Sequence, residues 1–154
     1  MDSDISFEES SELFDSESNQ IQNVIDLASK SEKLTISQII QSYYQVMKVS
    51  SISKILKENF QSSIDPKHQE LLNRIHYVQK QITENFDTKL HPLILSQLTD
   101  SIQKYTSSLQ SLAKDTSQKP KEIIETEANQ YKELRELMST KEFVMQYENG
   151  LKND

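Results

Sequence analysis

Hydrophobic residues between Leu95 and Leu112 recur at alternating spacings of three and four, with polar residues between them. This is the a/d heptad pattern of a helix with a narrow apolar stripe, and such a stripe is buried only against another helix. We therefore predict that helix association organises this chain. The residues of this stripe are Leu95, Leu98, Ile102, Tyr105, Leu109 and Leu112.

A similar stripe lies in the preceding segment, for which we predict a helix over about 66–90. Asp65 is a favoured N-cap residue, and Pro66 suits the first helical position because its missing N–H would have no partner there. The apolar residues of this helix recur at spacings of three and four. They are Leu71, Ile75, Val78, Ile82 and Phe86.

The dipeptide His91-Pro92 separates the two stripes. Proline disfavours the helical conformation of the residue before it, so we predict that the first helix ends or kinks sharply here. The second helix then spans about 92–115. Two heptad-bearing helices with a short connection predict an antiparallel coiled-coil hairpin, and one long kinked rod fits the same pattern.

Shorter amphipathic segments predict helices at about 19–29, 36–49 and 52–61. Thr35 and Gln38 have the spacing of a capping box at the start of the second of these. A longer helix is predicted over about 120–148, with Ile124, Ala128, Tyr131, Leu134 and Met138 continuing the three/four spacing. An apolar cluster then closes the chain and either completes the helical bundle, which we favour, or anchors a partner. Its members are Phe143, Val144, Tyr147 and Leu151.

Composition supports an all-α fold, an elongated helical bundle over 19–154. Glycine occurs once, whereas hairpins and tight turns need several glycines at positive φ. The hydrophobic fraction of 34% is low for a many-layered core and sufficient for helices that share narrow seams. There is no cysteine, so disulfides and cysteine-based metal sites are excluded.

Negative charge is concentrated in residues 1–18, which contain seven acidic residues and neither Lys nor Arg. We predict a disordered acidic tail. An alternative is a partner-docking motif built on Phe7, Leu13 and Phe14 and tuned by phosphorylation of Ser6. The remaining acidic and basic residues balance, so the body lacks the basic surface that direct binding to nucleic acid or to an anionic membrane requires.

Candidate chemistry is nearly absent. A single glycine is too few for a P-loop, a dinucleotide fingerprint or a nucleophile elbow. The three histidines, His68, His76 and His91, do not have the spacing of a helical metal site. We therefore expect no enzymatic activity, no cofactor and no metal. The acidic start and the short apolar runs favour a cytoplasmic or nuclear protein without a membrane span over a secreted one.

Three segments carry a resemblance to a known family. Ile64-Asp65-Pro66 opens a long helix, Leu109-Gln110-Ser111-Leu112-Ala113 lies midway along the chain, and Phe143-Val144 with Tyr147 precedes a final leucine. Over about residues 52–151 the chain resembles the small all-helical shoulder subunit of dynactin, with shorter spacings and an acidic tail in place of that family's N-terminal coiled-coil segment. The resemblance implies a non-catalytic subunit that packs with the coiled-coil chains of a cytoskeletal motor adaptor.

Together these patterns predict a non-catalytic interaction subunit that packs its heptad-bearing helices against helical or coiled-coil partner chains, in a homo- or hetero-oligomer. Two other functions stay open. One is a free-standing helical adaptor whose acidic tail docks a partner, and the other is a helical accessory subunit of a nuclear complex.

Overall fold

The structure is a computed structural model that describes residues 2–29, 33–114 and 120–147, and these residues form helices and no strand. The all-α prediction is confirmed. The helices are α1 (Asp2–Ser29), α2 (Ile36–Phe60), α3 (Pro66–Gln81), a π-helical segment (Ile82–Leu90), α4 (His91–Lys114) and α5 (Pro120–Met145).

Side-chain caps fix the starts of α2 and α3. The Thr35 hydroxyl accepts a hydrogen bond from the Gln38 backbone N–H at 3.1 Å, and the Gln38 side chain accepts one from the Thr35 N–H at 2.9 Å. This is the capping box that the sequence predicts. The Asp65 carboxylate caps α3 by accepting from the Lys67 N–H at 2.9 Å. Each cap satisfies backbone donors that have no partner within the helix.

Helical geometry continues from α3 through the π-helical segment into α4. His91 itself is helical (φ −57°, ψ −48°), and its N–H bonds to the Phe86 carbonyl five residues back. A proline in a regular α-helix clashes with the carbonyl four residues before it. The wider π-helical turn ends just before Pro92 and keeps the chain helical there. We call the run 66–114 the rod.

The rod corrects the predicted hairpin between 66–90 and 92–115. α3 and α4 follow each other along the rod, and α4 packs along α5 instead of back along α3. One continuous helical run, the alternative to a hairpin that the sequence leaves open, is the arrangement in the structure. The last residue of the predicted 92–115 helix, the end of the predicted 120–148 helix and Leu151 lie outside the described residues.

The N-terminal segment also differs from the prediction of a disordered tail, because residues 2–29 form one helix. Phe7, Phe14 and Ile21 are buried at intervals of seven residues, so α1 presents a sparse heptad line to the rest of the chain. Two of its acidic residues have partners on other helices, since Asp15 lies 3.5 Å from Arg74 on α3 and Glu17 accepts a hydrogen bond from Gln45 on α2 at 2.8 Å. Apolar burial and ion pairing together explain why an acid-rich segment is helical here.

The predicted helices 36–49 and 52–61 are a single helix, α2. Val49, Ser53 and Leu56 lie on its buried face, so the gap predicted between 49 and 52 falls in the middle of a packed surface. The weak helix propensity of serine is overridden by that packing.

The first half of the rod packs with α1 and α2. Phe7 of α1 contacts the rings of Phe60, near the end of α2, and His68, near the start of α3. α2 therefore runs antiparallel to α1 and to the rod. The second half of the rod packs with α5.

Candidate functional site

The π-helical segment lies where α2, the rod and α5 meet. Tyr43 of α2 is fully buried there, with its ring centre 5.0 Å from that of Phe86 and 5.1 Å from that of Tyr147. His91 contacts both tyrosine rings. We call Tyr43, Phe86, Asp87, His91 and Tyr147 the junction cluster.

Polar atoms within the junction cluster pair with one another. The Tyr43 hydroxyl lies 2.5 Å from His91 Nδ1, and the Tyr147 hydroxyl donates to the Asp87 carboxylate at 2.5 Å. Burial, followed by the charge of Asp87, raises the pKa of Tyr43, and burial with the hydrogen bond to Asp87 raises the pKa of Tyr147. Burial lowers the pKa of His91. Both tyrosines therefore remain protonated, and the cluster joins three helices.

The lowered pKa of His91 predicts a pH dependence of stability. In the unfolded chain His91 takes up a proton at about pH 6.5, whereas in the folded chain His91 does so only at a lower pH. We therefore expect the free energy of unfolding to be highest above about pH 6.5 and to fall as the pH drops below that value. Urea denaturation across this range is the measurement. His91→Asn should weaken the dependence and His76→Asn, on the exposed face of α3, should retain it; equal profiles for the two variants would contradict the prediction.

The predicted interaction residues of the stripe at 71–86, which we call the first stripe, are all buried within the chain. They line the buried face of the rod where it meets α1 and α2, so they are not available to a partner. These residues are Leu71, Ile75, Val78, Ile82 and Phe86.

The stripe at 95–112, which we call the second stripe, is only partly buried. Leu98 and Leu109 are buried against α5, whereas Leu95, Ile102, Tyr105 and Leu112 are half-buried. Ser101, which the predicted stripe does not include, is buried, whereas its neighbour Ile102 is only half-buried. A small side chain lets two helices approach closely, so the buried line passes through Ser101 and Ile102 moves to its flank.

The buried face of α5 also differs from the predicted stripe. Leu137, Thr140 and Val144 are buried against α4 and α2, and Thr140 satisfies its hydroxyl by donating to the Glu136 carbonyl at 2.7 Å. Of the terminal cluster, Val144 is buried while Phe143 and Tyr147 are half-buried.

Four large apolar side chains of α5 are exposed and follow one another at intervals of seven residues. Their exposed fractions lie between 51% and 66%. Single exposed hydrophobic residues are normal on protein surfaces, but residues at heptad spacing share one side of a helix. We call these residues the α5 stripe: Ile124, Tyr131, Met138 and Met145.

A groove lies beside the α5 stripe, between α5 and α4. Its volume is about 450 Å³, and Ile102 of the rod forms its opposite wall. Met138 and Met145 line it together with polar groups at its rim, which include Lys141, Glu142 and Gln146. Methionine side chains adapt to differently shaped partners, and an apolar groove between two helices fits a third helix.

The two flanks of α5 are covered differently. On one flank, Phe143 and Tyr147 contact Tyr43 of α2, and Phe143 also contacts Tyr44. On the other flank, Met138 and Met145 have no helix packed over them among the described residues. The α4–α5 pair therefore offers a place for a helix that the described part of the chain does not fill.

The three residues of the candidate docking motif in the N-terminal segment differ in their exposure to solvent. Phe7 and Phe14 are buried in the contact of α1 with α2 and α3, and only Leu13 is exposed, at 50%. The side chain of Ser6 lies outside the described residues. In this conformation the motif cannot present its aromatic residues to a partner.

Within residues 2–29, 33–114 and 120–147, no three His, Asp or Glu side chains are grouped so that they could hold a metal ion. Over the same described stretches, no helix is both long enough and apolar enough to cross a membrane. None of the protein-family models, curated proteins or solved structures compared with this chain matches it.

Proposed function

We propose that this protein is a non-catalytic interaction subunit that binds a helix of another chain on the α5 stripe and the adjoining groove. The exposed heptad spacing of Ile124, Tyr131, Met138 and Met145 carries this proposal. Heptad spacing matches the contacts of one helix lying along another, and it is not needed for a face that meets only water.

The energetics favour occupation of this surface. Fully burying an exposed isoleucine or methionine side chain contributes about 1.5–3 kcal/mol, and the residues of the α5 stripe still have 51–66% of their surface to bury. Several such contacts along one helix exceed what a single exposed residue offers, and the groove wall at Ile102 extends the apolar area. The resemblance to the dynactin shoulder subunit would make the partners coiled-coil chains of a motor adaptor.

The burial of Phe7 and Phe14 counts against the adaptor that docks through its acidic tail. That function would require α1 to leave α2 and α3, with loss of the Asp15–Arg74 and Glu17–Gln45 contacts. The α5 stripe requires no such rearrangement, and for this reason we favour it as the binding surface.

Photo-crosslinking in the cells that make this protein tests the proposal. We expect a benzoylphenylalanine at position 131 on the α5 stripe to form covalent adducts with a protein chain. The same group at position 77 should not, although Tyr77 is at least as exposed, at 62% against 51% for Tyr131. Mass spectrometry of the adduct identifies the chain that was bound.

A second substitution shows whether the adduct depends on apolar contact. Met138→Asp places a charge in the middle of the α5 stripe and should abolish the adduct at position 131, because an unpaired charge is costly to bury. Ser139→Asp, on the next residue, which is also exposed, should leave it in place. Absence of any adduct at position 131, or equal adducts at positions 131 and 77, would show that α5 is not the binding surface.

A further inference from the structure

Two exposed charged residues of opposite sign lie along one side of the α5 stripe, Arg135 and Glu142. They are seven residues apart, about 10 Å along the helix, so they cannot pair with each other within one chain. Within the described part of the chain, neither side chain forms an ion pair with another residue. This side of the α5 stripe therefore offers a bound helix one positive and one negative contact.

Twofold symmetry brings these charges together. When two copies of a helix pack antiparallel about a twofold axis, each side of the contact faces the same side of the partner helix in reverse order. With the axis at Met138, Tyr131 faces Met145 of the second copy. In the same register Arg135 falls within one residue of Glu142 of the second copy, and both contacts occur twice.

We propose that the helix bound on the α5 stripe is α5 of a second copy of this chain, antiparallel and centred on Met138. This register unites three apolar layers, which are Met138 with its own counterpart and Tyr131 with Met145 on either side. Tyrosine and methionine pack favourably, because sulfur contacts to an aromatic ring edge are attractive. The two Arg135–Glu142 pairs flank these layers on one side.

A parallel pairing lacks this complementarity. In register, a parallel pair brings opposite sides of the two stripes together, so Arg135 lies beside Leu134 of the second copy. Glu142 then lies beside Lys141 of the second copy, and Arg135 has no acidic partner. The antiparallel arrangement is therefore the one that pairs both Arg135 and Glu142. This inference rests on the proposed function of the α5 stripe and names its partner.

Cysteine crosslinking tests the register, and no native cysteine interferes because the chain contains none. In the full chain under mild oxidation, Met138→Cys should form a disulfide-linked dimer. Tyr131→Cys and Met145→Cys should crosslink efficiently when the two proteins are mixed and poorly when each is alone. Crosslinking of Tyr131→Cys with itself, in preference to the mixture, would establish a parallel pairing and overturn the antiparallel one.

Charge reversal tests the pairing of Arg135 with Glu142 on residues that are exposed in the folded chain. Sedimentation equilibrium should show that Arg135→Glu and Glu142→Arg each weaken dimerisation by about tenfold, since each creates two like-charge contacts. Mixing the two variants, or combining both changes in one chain, should restore the wild-type dissociation constant. Equal weakening in the mixture and in the separate variants would overturn the charge pairing.

The failure of this inference can be distinguished from failure of the proposed function. A wild-type chain that sediments as a monomer up to sub-millimolar concentration overturns the dimer. If position 131 still forms adducts with a different protein in cells, helix binding on the α5 stripe stands with a heterologous partner. If position 131 forms no adduct, the proposed function fails together with the dimer.

Discussion

Phe14→Ala is expected to destabilise the protein by about 3–5 kcal/mol. Phe14 is 1% exposed and lies in the middle of the sparse heptad line of α1, between Phe7 and Ile21. Removing its ring leaves a cavity and deletes a central apolar contact of α1 with α2 and α3. Since whole domains are stable by only about 5–15 kcal/mol, we also expect amide hydrogens in α1 to exchange much faster while the rod stays protected.

The neighbouring residue provides the matched control for this substitution. Leu13 is 50% exposed, so Leu13→Ala should change the free energy of unfolding by about 0.5 kcal/mol or less. Chemical denaturation and hydrogen exchange on both variants make the comparison. Equal effects at positions 13 and 14, or rapid exchange throughout α1 in the wild-type protein, would mean that the acidic segment is not docked and would restore the prediction of a disordered tail.

Phe86→Ala is expected to destabilise the protein by a similar amount, about 3–5 kcal/mol, by loosening a different part of the structure. Phe86 is fully buried in the junction cluster, where its ring meets those of Tyr43 and Tyr147. α2, the rod and α5 all contact this point, so its loss should loosen the second half of the molecule as well as the first. Hydrogen exchange should accelerate in the last turns of α5, around Val144.

Leu93 is the control for the junction, because it lies seven residues further along the same rod and is 47% exposed. Leu93→Ala should leave the unfolding transition nearly unchanged. Urea denaturation of both variants, with the slope of the transition compared as well as its midpoint, provides the measurement. A Phe86→Ala protein as stable as Leu93→Ala would show that the junction cluster does not hold the three helices together.

Pairing of helices depends on contacts that a single helix does not reveal. The stripes at 71–86 and 95–112 predict buried faces, yet each fits burial against any other helix of suitable spacing. The structure packs the first stripe with α1 and α2 and the second with α5. The spacing of Ile124, Tyr131 and Met138 identifies an apolar strip on α5, but only the position of Leu137, Thr140 and Val144 against α4 and α2 places that strip on the outside.

Local sequence patterns are enough to predict that the described residues after position 18 are mostly helical, that α2 and α3 begin at Ile36 and Pro66, and that the stripe at 71–86 faces inward. These predictions rest on local properties, which act the same way in any arrangement of the helices. They are the scarcity of glycine, the caps at Thr35 and Asp65, and the spacing of apolar residues by three and four. Tertiary structure decided instead that residues 2–18 are helical, because the few apolar residues of this segment gain nothing until α2 and α3 bury them. It also decided that the chain stays helical through Pro92, since packing around Phe86 and Tyr43 offsets the cost of a proline within a helix.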